Sequence, residues 1–381
     1  MFSLKCLLKI SVLTRSYVIS LGLDSVHVSV TPDRVRRGLH TGLRINEEEE
    51  EKKKRSRAER KVCESVLEHF NNQYTHELGQ VWLSAREVLL NPHCWQYGVL
   101  LNRFSDHLDV RAVLKSRGYY SLLSQPDPPN TWPLQCLVHK DAVRLPTQRH
   151  REGWLKQYYL LNAASLLPVL ALDVKDGERV LDLCSAPGGK ALAVLQTANP
   201  GLLHCNEVDK SRYAWLVKTL ESYVPHALRD TLTVTNEDGR DIGITKLKMF
   251  DKVLVDAPCS NDRSWLFSPG AQQGELRLRE RAKLPQLQKE LICSALSAVR
   301  PGGIVVYSTC TLSSAENQSV MEAVLSTVHG VELAELEEEL IVSLSGHFKF
   351  AHLRPPLGCL VVPEQGRTWG PMYVCRLRRT C

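Results

Sequence analysis

The second half of the chain alternates short apolar runs with helical stretches, and this alternation constrains the fold more than any other feature. Runs rich in strand-forming residues occur at residues 179–183, 202–207, 232–235, 252–256 and 303–307. Helical patterns at about residues 190–196, 210–223 and 285–299 lie between them. Such alternation is typical of a parallel sheet covered on both faces. The sequence therefore predicts a doubly wound α/β domain that binds ligands at the carboxyl ends of its strands.

The 381 residues are enough for two domains and a short extra segment. Residues 1–45 are predicted to be a mitochondrial transit peptide and tether, because bases alternate there with apolar and hydroxyl residues and no acid precedes Asp24. A smaller helical domain is expected over residues 46–150, and the α/β domain over residues 151–381.

Local patterns within these segments give more detailed expectations. Residues 95–104 are expected to form a helix of the smaller domain, and residues 158–172 a strongly apolar helix that opens the larger one. Four prolines within residues 125–133 indicate a linker.

A glycine-containing turn follows the first predicted strand, where residues 182–190 read DLCSAPGGK. Glycines allow a ligand to approach the backbone, and the following helix offers unpaired N–H groups at its N-terminus. The turn is not a Walker A loop, because Cys184 stands where that motif needs its first glycine and Ala191 where it needs Ser or Thr. It also lacks the Gly-x-Gly-x-x-Gly pattern of dinucleotide sites.

Acidic residues close the next two strands. Glu207 ends the second strand, where a carboxylate can accept hydrogen bonds from two ribose hydroxyls, and Asp238 follows the third, where it can face an adenine amine. This set suits S-adenosylmethionine, which carries adenosine and an amino acid but no phosphate. The alternative is that the glycines only make turns and that both acids lie in solvated loops.

Two of the twelve cysteines follow the last two predicted strands: Cys259 comes after Asp256-Ala257-Pro258, and Cys310 after Tyr307-Ser308-Thr309. The C5 carbon of a pyrimidine is too weak a nucleophile to take a methyl group unaided, but a thiolate that adds at C6 makes C5 reactive. A carboxyl group such as that of Asp256 can stabilise this adduct, and a second group must then assist product release. A packing role is the alternative for either thiol.

Several other classes of protein find no support in the sequence. No apolar stretch is long enough to span a membrane, no Cys-x-x-Cys occurs, and the thirteen histidines show no metal-ligand spacing. We therefore expect neither a membrane nor a metal as a partner. The formal charge of +6 permits an anionic partner such as nucleic acid but does not require one.

Four segments resemble the signature motifs of the Nop/Sun family of RNA cytosine-5 methyltransferases. They are DLCSAPGGK at residues 182–190, DAPC at 256–259, RPGG at 300–303 and YSTCT at 307–311. The resemblance covers about residues 155–381. Residues 158–170, residues 256–267 (DAPCSNDRSWLF) and residues 92–97 (PHCWQY) are most similar to the branch that acts on mitochondrial tRNA-methionine. It implies a Rossmann-like fold, S-adenosylmethionine as cofactor, and methylation of an anticodon-loop (wobble) cytosine of mitochondrial tRNA, in the mitochondrial matrix.

The same resemblance implies a role for each motif residue. Cys310 would be the nucleophile, Cys259 would help to release the product, and Asp256 would serve both catalysis and cofactor binding. The other cofactor contacts would come from Cys184, Ser185, Ala186, Pro187, Gly188, Gly189, Lys190, Glu207 and Asp238. Glu207 is one methylene longer than the aspartate that is common in the family, so Asp209 is the fallback for the ribose contact.

Other functions remain open from the sequence. One is a non-catalytic RNA-binding or ribosome-assembly factor that keeps the fold, and another is a methyltransferase that acts on protein or DNA. If the substrate is RNA, residues 46–150 are expected to contribute to binding it. The basic runs at residues 277–283 and 376–379 are candidates for phosphate contacts.

Overall fold

A computed structural model describes residues 61–123 and 134–381 of the chain. The predicted transit peptide and tether, and the proline-rich stretch at residues 125–133, lie outside the described residues. None of the described helices is long and apolar enough to cross a membrane.

The α-helices of the described residues are α1 (Glu64–Leu78), α2 (Gln80–Leu90), α3 (Leu108–Ser116), α4 (Leu167–Leu172), α5 (Gly189–Thr197), α6 (Lys210–Tyr223), α7 (Gly239–Thr245), α8 (Asp262–Trp265), α9 (Ala271–Arg281), α10 (Leu284–Ala298), α11 (Gln318–Thr327) and α12 (Glu338–Ser345). The strands are β1 (Gly98–Leu101), β2 (Tyr120–Ser121), β3 (Cys136–Val138), β4 (Tyr158–Leu161), β5 (Arg179–Asp182), β6 (Leu202–Asn206), β7 (Leu232–Thr235), β8 (Phe250–Asp256), β9 (Val299–Thr309), β10 (Val331–Leu333), β11 (Phe350–Ala351), β12 (Cys359–Val361) and β13 (Met372–Arg379).

The larger sheet contains the five predicted strands, side by side and parallel, in the order β9-β8-β5-β6-β7. Beyond β9 the sheet continues with β13, β12 and β11, and each of these pairs antiparallel to its neighbour. Strand β10 pairs with the other end of β13. The doubly wound prediction is confirmed, and the antiparallel extension is an addition that the sequence did not indicate.

Helices cover both faces of this sheet. Since successive side chains of a strand point to opposite faces, Val180 lies in the apolar cluster that includes α4 and α5, whereas Leu181 lies in the one that includes α10 and α11. Helices α1 and α2 belong to the second of these layers, where Phe70 and Leu89 lie in the same apolar cluster as Leu181. The first described helices therefore pack directly on the α/β core.

The smaller sheet is antiparallel, with the strand order β2-β3-β1-β4 among the described residues. Its strand β1 pairs Val99 with Leu137 of β3 on one side and with Leu160 of β4 on the other. The helix predicted over residues 95–104 is wrong, because Gly98–Leu101 form strand β1. All four residues of this strand are buried, so the sequence there lacks the polar–apolar alternation by which a strand is recognised. The described part of residues 46–150 thus mixes helices with strands and is not purely helical.

The single helix predicted over residues 158–172 is also wrong. Residues Tyr158–Leu161 form β4, which completes the smaller sheet, and Asn162 then accepts a hydrogen bond from the N–H of Ala164 to begin a 3₁₀ turn. Helix α4 follows, with Pro168 in its first turn, where a missing N–H costs nothing. A strand and a helix therefore share one apolar stretch, and the smaller sheet draws its fourth strand from beyond residue 150.

Candidate active site

The loop after β5 needs glycine at two positions. Gly188 has a φ of 102°, and a Cβ there would lie 3.1 Å from the Leu216 Cδ1 of α6. A Cβ on Gly189 would lie 2.9 Å from the Tyr159 ring of β4. The loop therefore turns sharply into α5 and packs closely against α6 and the smaller sheet. Only glycine fits at these two positions, and the absence of side chains there leaves the loop backbone accessible to a ligand.

Asp182 lies beneath this loop and is almost fully buried. Its Oδ2 accepts a hydrogen bond of 2.8 Å from the Ser185 hydroxyl, whereas Oδ1 has no hydrogen-bond partner among the described residues. Burial raises the pKa of Asp182 to about 7. Ser185 thus has a structural role under the loop that the sequence did not indicate.

Glu207 follows β6 and is also buried. Its Oε1 accepts a hydrogen bond of 3.1 Å from the Asp209 N–H, and Oε2 lies 3.3 Å from Nη1 of Arg212, without hydrogen-bond geometry. Asp209 itself caps α6, because its side chain accepts a 2.7 Å hydrogen bond from the Arg212 N–H. The capping role makes Asp209 a poor fallback for a ribose contact and leaves Glu207 as the better candidate.

Asp238 lies after β7 and caps α7. Its carboxylate accepts hydrogen bonds from the Arg240 backbone N–H at 3.0 Å and from the Arg240 Nη2 at 2.6 Å. These hydrogen bonds lower the pKa of Asp238. A contact to an adenine amine would therefore have to share this carboxylate with Arg240.

Asp256 at the end of β8 faces the lysine of the glycine loop. Its Oδ2 accepts a hydrogen bond of 2.8 Å from Lys190 Nζ, and its Oδ1 accepts one of 2.9 Å from the Ser308 hydroxyl of β9. Burial alone would lower the pKa of Lys190, but the adjacent Asp256 outweighs it and the pKa is raised. Lys190 is therefore a fixed cation that orients Asp256.

The two cysteines singled out in the sequence lie in contact. Their Sγ atoms are 3.2 Å apart, and the Cys310 backbone N–H donates to the Cys259 Sγ at 3.3 Å. The hydrogen bond with Cys310, together with burial, raises the pKa of the Cys259 thiol well above its usual value. Cys259 is thus held as the protonated thiol, in contact with the Cys310 sulfur.

The site combines two thiols in contact, an oriented carboxylate, a glycine loop and a buried glutamate. These are the features expected from the resemblance to RNA cytosine-5 methyltransferases, and the comparison with known proteins agrees. The family model of the 16S rRNA methyltransferase RsmB/F matches residues 169–370.

The chain belongs to this family. It is 63% identical over 329 residues to the mitochondrial tRNA (cytosine(34)-C(5))-methyltransferase of Danio rerio, covering 85% of this chain and 90% of that protein. It is 48% identical to the protein of the same name from Mus musculus, covering 84% of this chain and 92% of that one. The solved structure of NSun6 from Pyrococcus horikoshii with SFG has the same fold, with a TM-score of 0.54, 16% identity, and coverage of 82% and 97% of the two chains.

In this methyltransferase the residues predicted to bind the cofactor lie along one edge, the carboxyl ends of β5 to β8. Among the described residues, two buried carboxylate oxygens have no hydrogen-bond partner, one each on Asp182 and Glu207. Together with the loop glycines, they fit a ligand that brings its own donors. S-adenosylmethionine has such donors in its ribose hydroxyls and amino group. In the described part of the chain, no group of three or more His, Cys, Asp or Glu side chains is arranged to hold a metal ion.

The basic runs are less available to this methyltransferase than the sequence suggested. Arg281 is buried and pairs with Glu316 at 3.3 Å, and Nη1 of Arg379 donates to the carbonyl oxygens of Leu296 and Val299. Both arginines hold the fold together, so neither is free for a phosphate. Arg279 remains exposed on α9.

One residue near the thiols was missed in the sequence. Arg263, four residues after Cys259, donates to the carbonyl oxygens of Gly370 and Thr368 and stacks on the Trp95 ring at 4.6 Å. Burial lowers its pKa to about 10. The signal was a single basic residue, Arg263, within residues 256–267, DAPCSNDRSWLF.

Proposed function

We propose that the protein is an S-adenosylmethionine-dependent methyltransferase that forms 5-methylcytosine at the wobble position of mitochondrial tRNA, with tRNA-methionine as its substrate. The observation that carries this proposal is the contact between the thiols of Cys259 and Cys310, 3.2 Å apart, beside Asp256. The names of the relatives from Danio rerio and Mus musculus support cytosine 34 of a mitochondrial tRNA as the target.

In the proposed reaction the Cys310 thiolate forms a bond to C6 of the cytosine, and the electron pair of the C5–C6 double bond makes C5 nucleophilic. We assign Asp256 to the N3 edge of the base, where its carboxyl group stabilises the adduct while Lys190 and Ser308 hold it in place. Bound S-adenosylmethionine supplies the electrophilic methyl group that C5 takes. When a water molecule then takes the proton of C5, the C6–S bond breaks and its electrons return to the Cys310 sulfur. We assign Cys259, in contact with that sulfur, to this release step.

We infer that the cofactor is held by the loop from Cys184 to Lys190 and by Glu207, Asp238 and Asp256. The glycines of the loop leave room for its backbone to approach the ligand, and the buried Oε2 of Glu207, which has no hydrogen-bond partner among the described residues, is the atom that we assign to a ribose hydroxyl. The SFG in the NSun6 structure from Pyrococcus horikoshii supports a small-molecule site in this fold.

We further propose that residues 1–45 direct the protein into the mitochondrial matrix and that residues 46–150 help to bind the tRNA. The composition of the first segment and the word mitochondrial in the relatives' names support the address. A base in the anticodon loop is easier to reach than one in a helix, because it needs little unstacking to enter a pocket.

The experiment is a covalent-trapping assay with a tRNA-methionine transcript, S-adenosylmethionine and single-cysteine variants. We expect Cys259→Ala to accumulate a denaturation-resistant protein–RNA adduct, and Cys310→Ala to form no adduct and no 5-methylcytosine. Cys293→Ala, a change to a partly buried cysteine of α10 that is not at the carboxyl edge, is the matched control and should behave as wild type. An active Cys310→Ala protein would refute the mechanism.

A transcript with uridine at position 34 is the control for the target base. Methylation that persists on this transcript would refute the wobble position. Wild-type protein that binds the tRNA but methylates nothing would favour the non-catalytic RNA-binding factor instead.

A further inference from the structure

Beneath the two thiols lies a cluster of buried polar side chains that the proposed reaction does not use. We call it the sub-thiol cluster, and its members are Tyr74, Ser260, Asp262, Arg281, Thr311 and Glu316. All are buried, although two carboxyl groups and a guanidinium are among them. A buried ion pair is weak evidence for stability, because the cost of desolvation offsets the attraction. The contacts of the cluster point to a different role.

One arm of the cluster holds the segment around Cys259. Glu316 accepts hydrogen bonds from the Ser260 N–H at 2.9 Å and from the Ser260 hydroxyl at 2.6 Å. Gln288 lies 3.1 Å from the same carboxylate and donates to the carbonyl oxygen of Pro258 at 2.9 Å. Glu316 therefore fixes Ser260 directly, and it fixes Pro258 through Gln288, so that the residues on both sides of Cys259 are held in place.

The other arm holds the segment after Cys310. Asp262 accepts hydrogen bonds from the Thr311 hydroxyl at 2.8 Å and from the Leu312 N–H at 2.7 Å. These are the two residues that follow Cys310 in the chain. Asp262 itself begins α8, three residues after Cys259.

Two residues join the arms. Arg281 lies 3.3 Å from Glu316 and donates to the Tyr74 hydroxyl at 2.7 Å, and that hydroxyl donates to Asp262 at 2.9 Å. The Ser260 and Thr311 hydroxyls, each directly after a cysteine, are also 2.9 Å apart. The separation of the two thiols thus depends on the hydrogen bonds of a single buried network, which includes a tyrosine of α1.

We propose that Glu316 and Asp262 are positioning residues for different steps of the reaction: Glu316 for product release by Cys259, and Asp262 for the attack by Cys310. This inference rests on the proposed function and adds the source of the thiol geometry to it. Neither carboxylate touches the cytosine, and each acts through the backbone beside one cysteine.

The test compares Glu316→Gln and Asp262→Asn in the trapping assay, with two readouts, the fraction of protein in the covalent adduct and the rate of 5-methylcytosine formation. A misplacement of about 1 Å costs about 100-fold in rate. We expect Glu316→Gln to slow turnover about 10- to 100-fold while the adduct accumulates, as in Cys259→Ala. Asp262→Asn should slow adduct formation by a similar factor without accumulation.

Ser260→Ala is a second variant for the first arm, since it fits the same space and keeps the backbone hydrogen bond to Glu316. It removes the hydroxyl hydrogen bond to Glu316 and, with it, the contact with the Thr311 hydroxyl. It should accumulate adduct too, and it keeps the test valid if Glu316→Gln does not fold. The matched control is Asp251→Asn, which removes an ion pair with Arg300 near the opposite end of the sheet and should change neither readout.

A loss of adduct together with turnover in Glu316→Gln would overturn the inference, because that is the result of a merely structural role. Adduct that accumulates in Asp262→Asn would overturn it as well, because Asp262 would then act on release and not on attack. If Cys259→Ala traps RNA but neither Glu316→Gln nor Ser260→Ala does, the positioning role fails and the proposed function stands. If wild-type protein makes no 5-methylcytosine, the proposed function fails and the inference fails with it.

Discussion

Asp182 should make the protein less stable as the pH rises. Burial raises the pKa of this carboxyl group from 3.8 to about 7 in the folded protein. Because the folded state then binds a proton that the unfolded state has released, stability is highest below pH 4 and is lost as the pH rises to about 7. A difference of about 3 in pKa, at about 1.4 kcal/mol for each unit, amounts to about 4 kcal/mol.

Asp182→Asn removes this charge while its amide oxygen can still accept from the Ser185 hydroxyl. Any cost of the new NH₂ group is independent of pH, so the pH dependence of the difference between variant and wild type isolates the carboxyl group. For a chain of this length each kcal/mol corresponds to about 1–2 °C in unfolding temperature. The variant should gain about 6 °C on the wild type between pH 4 and pH 8.

The assay is thermal unfolding of both proteins by circular dichroism at several pH values. Asp251→Asn is the control: the backbone N–H of Arg179 and the Arg300 side chain outweigh burial and lower its pKa. Its contribution to stability is fully present above the unfolded pKa of about 4 and is lost only at lower pH. The deficit of this variant should therefore be constant between pH 5 and pH 8. A difference for Asp182→Asn that is equally constant over this range would refute the reasoning.

Three further outcomes are expected. Gly188→Ala forces a side chain into a conformation with a φ of 102°, at a cost of about 1–3 kcal/mol, and calorimetry should show a Kd for S-adenosylmethionine that is at least about tenfold higher. Gly177→Ala is the control, because this glycine has a φ of 81° with open space around it; the variant should lose stability without losing affinity for S-adenosylmethionine. Arg263→Lys cannot reproduce both carbonyl contacts and the stack on a ring, so it should lower the unfolding temperature and the methylation rate together, and unchanged values would contradict its bracing role. Arg279→Ala should weaken tRNA binding and reduce the slope of log affinity against log salt concentration by about 1. Arg281→Ala should instead destabilise the fold, because Arg281 is buried and paired with Glu316. The reverse pattern would show that the buried arginine is the RNA contact.

Much of the α/β domain follows from local pattern. The strand runs at residues 179–183 and 252–256, and the helix over residues 210–223, were predictable because each carries its apolar residues in a recognisable period. The smaller sheet was not, since β1 is buried along its whole length and its apolar run fits a helix as well as a strand. The antiparallel strands beyond β9 were not predictable either. Their positions depend on the pairing of β13 with β9 and of β12 with β13, and the periodicity of a local sequence segment carries no information on such pairing.

The candidate site divides in the same way. The sequence by itself determined that Asp256, Cys259 and Cys310 follow strands of a parallel sheet and therefore reach the same edge, because a parallel sheet brings all its carboxyl ends together. Only the tertiary structure decided that the two thiols lie 3.2 Å apart although 51 positions separate them in the chain.

Only the tertiary structure, too, brought a tyrosine of the first described helix beneath both thiols. Tyr74 donates to Asp262, 188 positions later in the chain, and accepts from Arg281. The physical reason is that periodicity records which face of an element is buried, whereas hydrogen bonds between buried polar groups depend on how distant elements pack. Those contacts, more than the motifs, determine how the two cysteines are held.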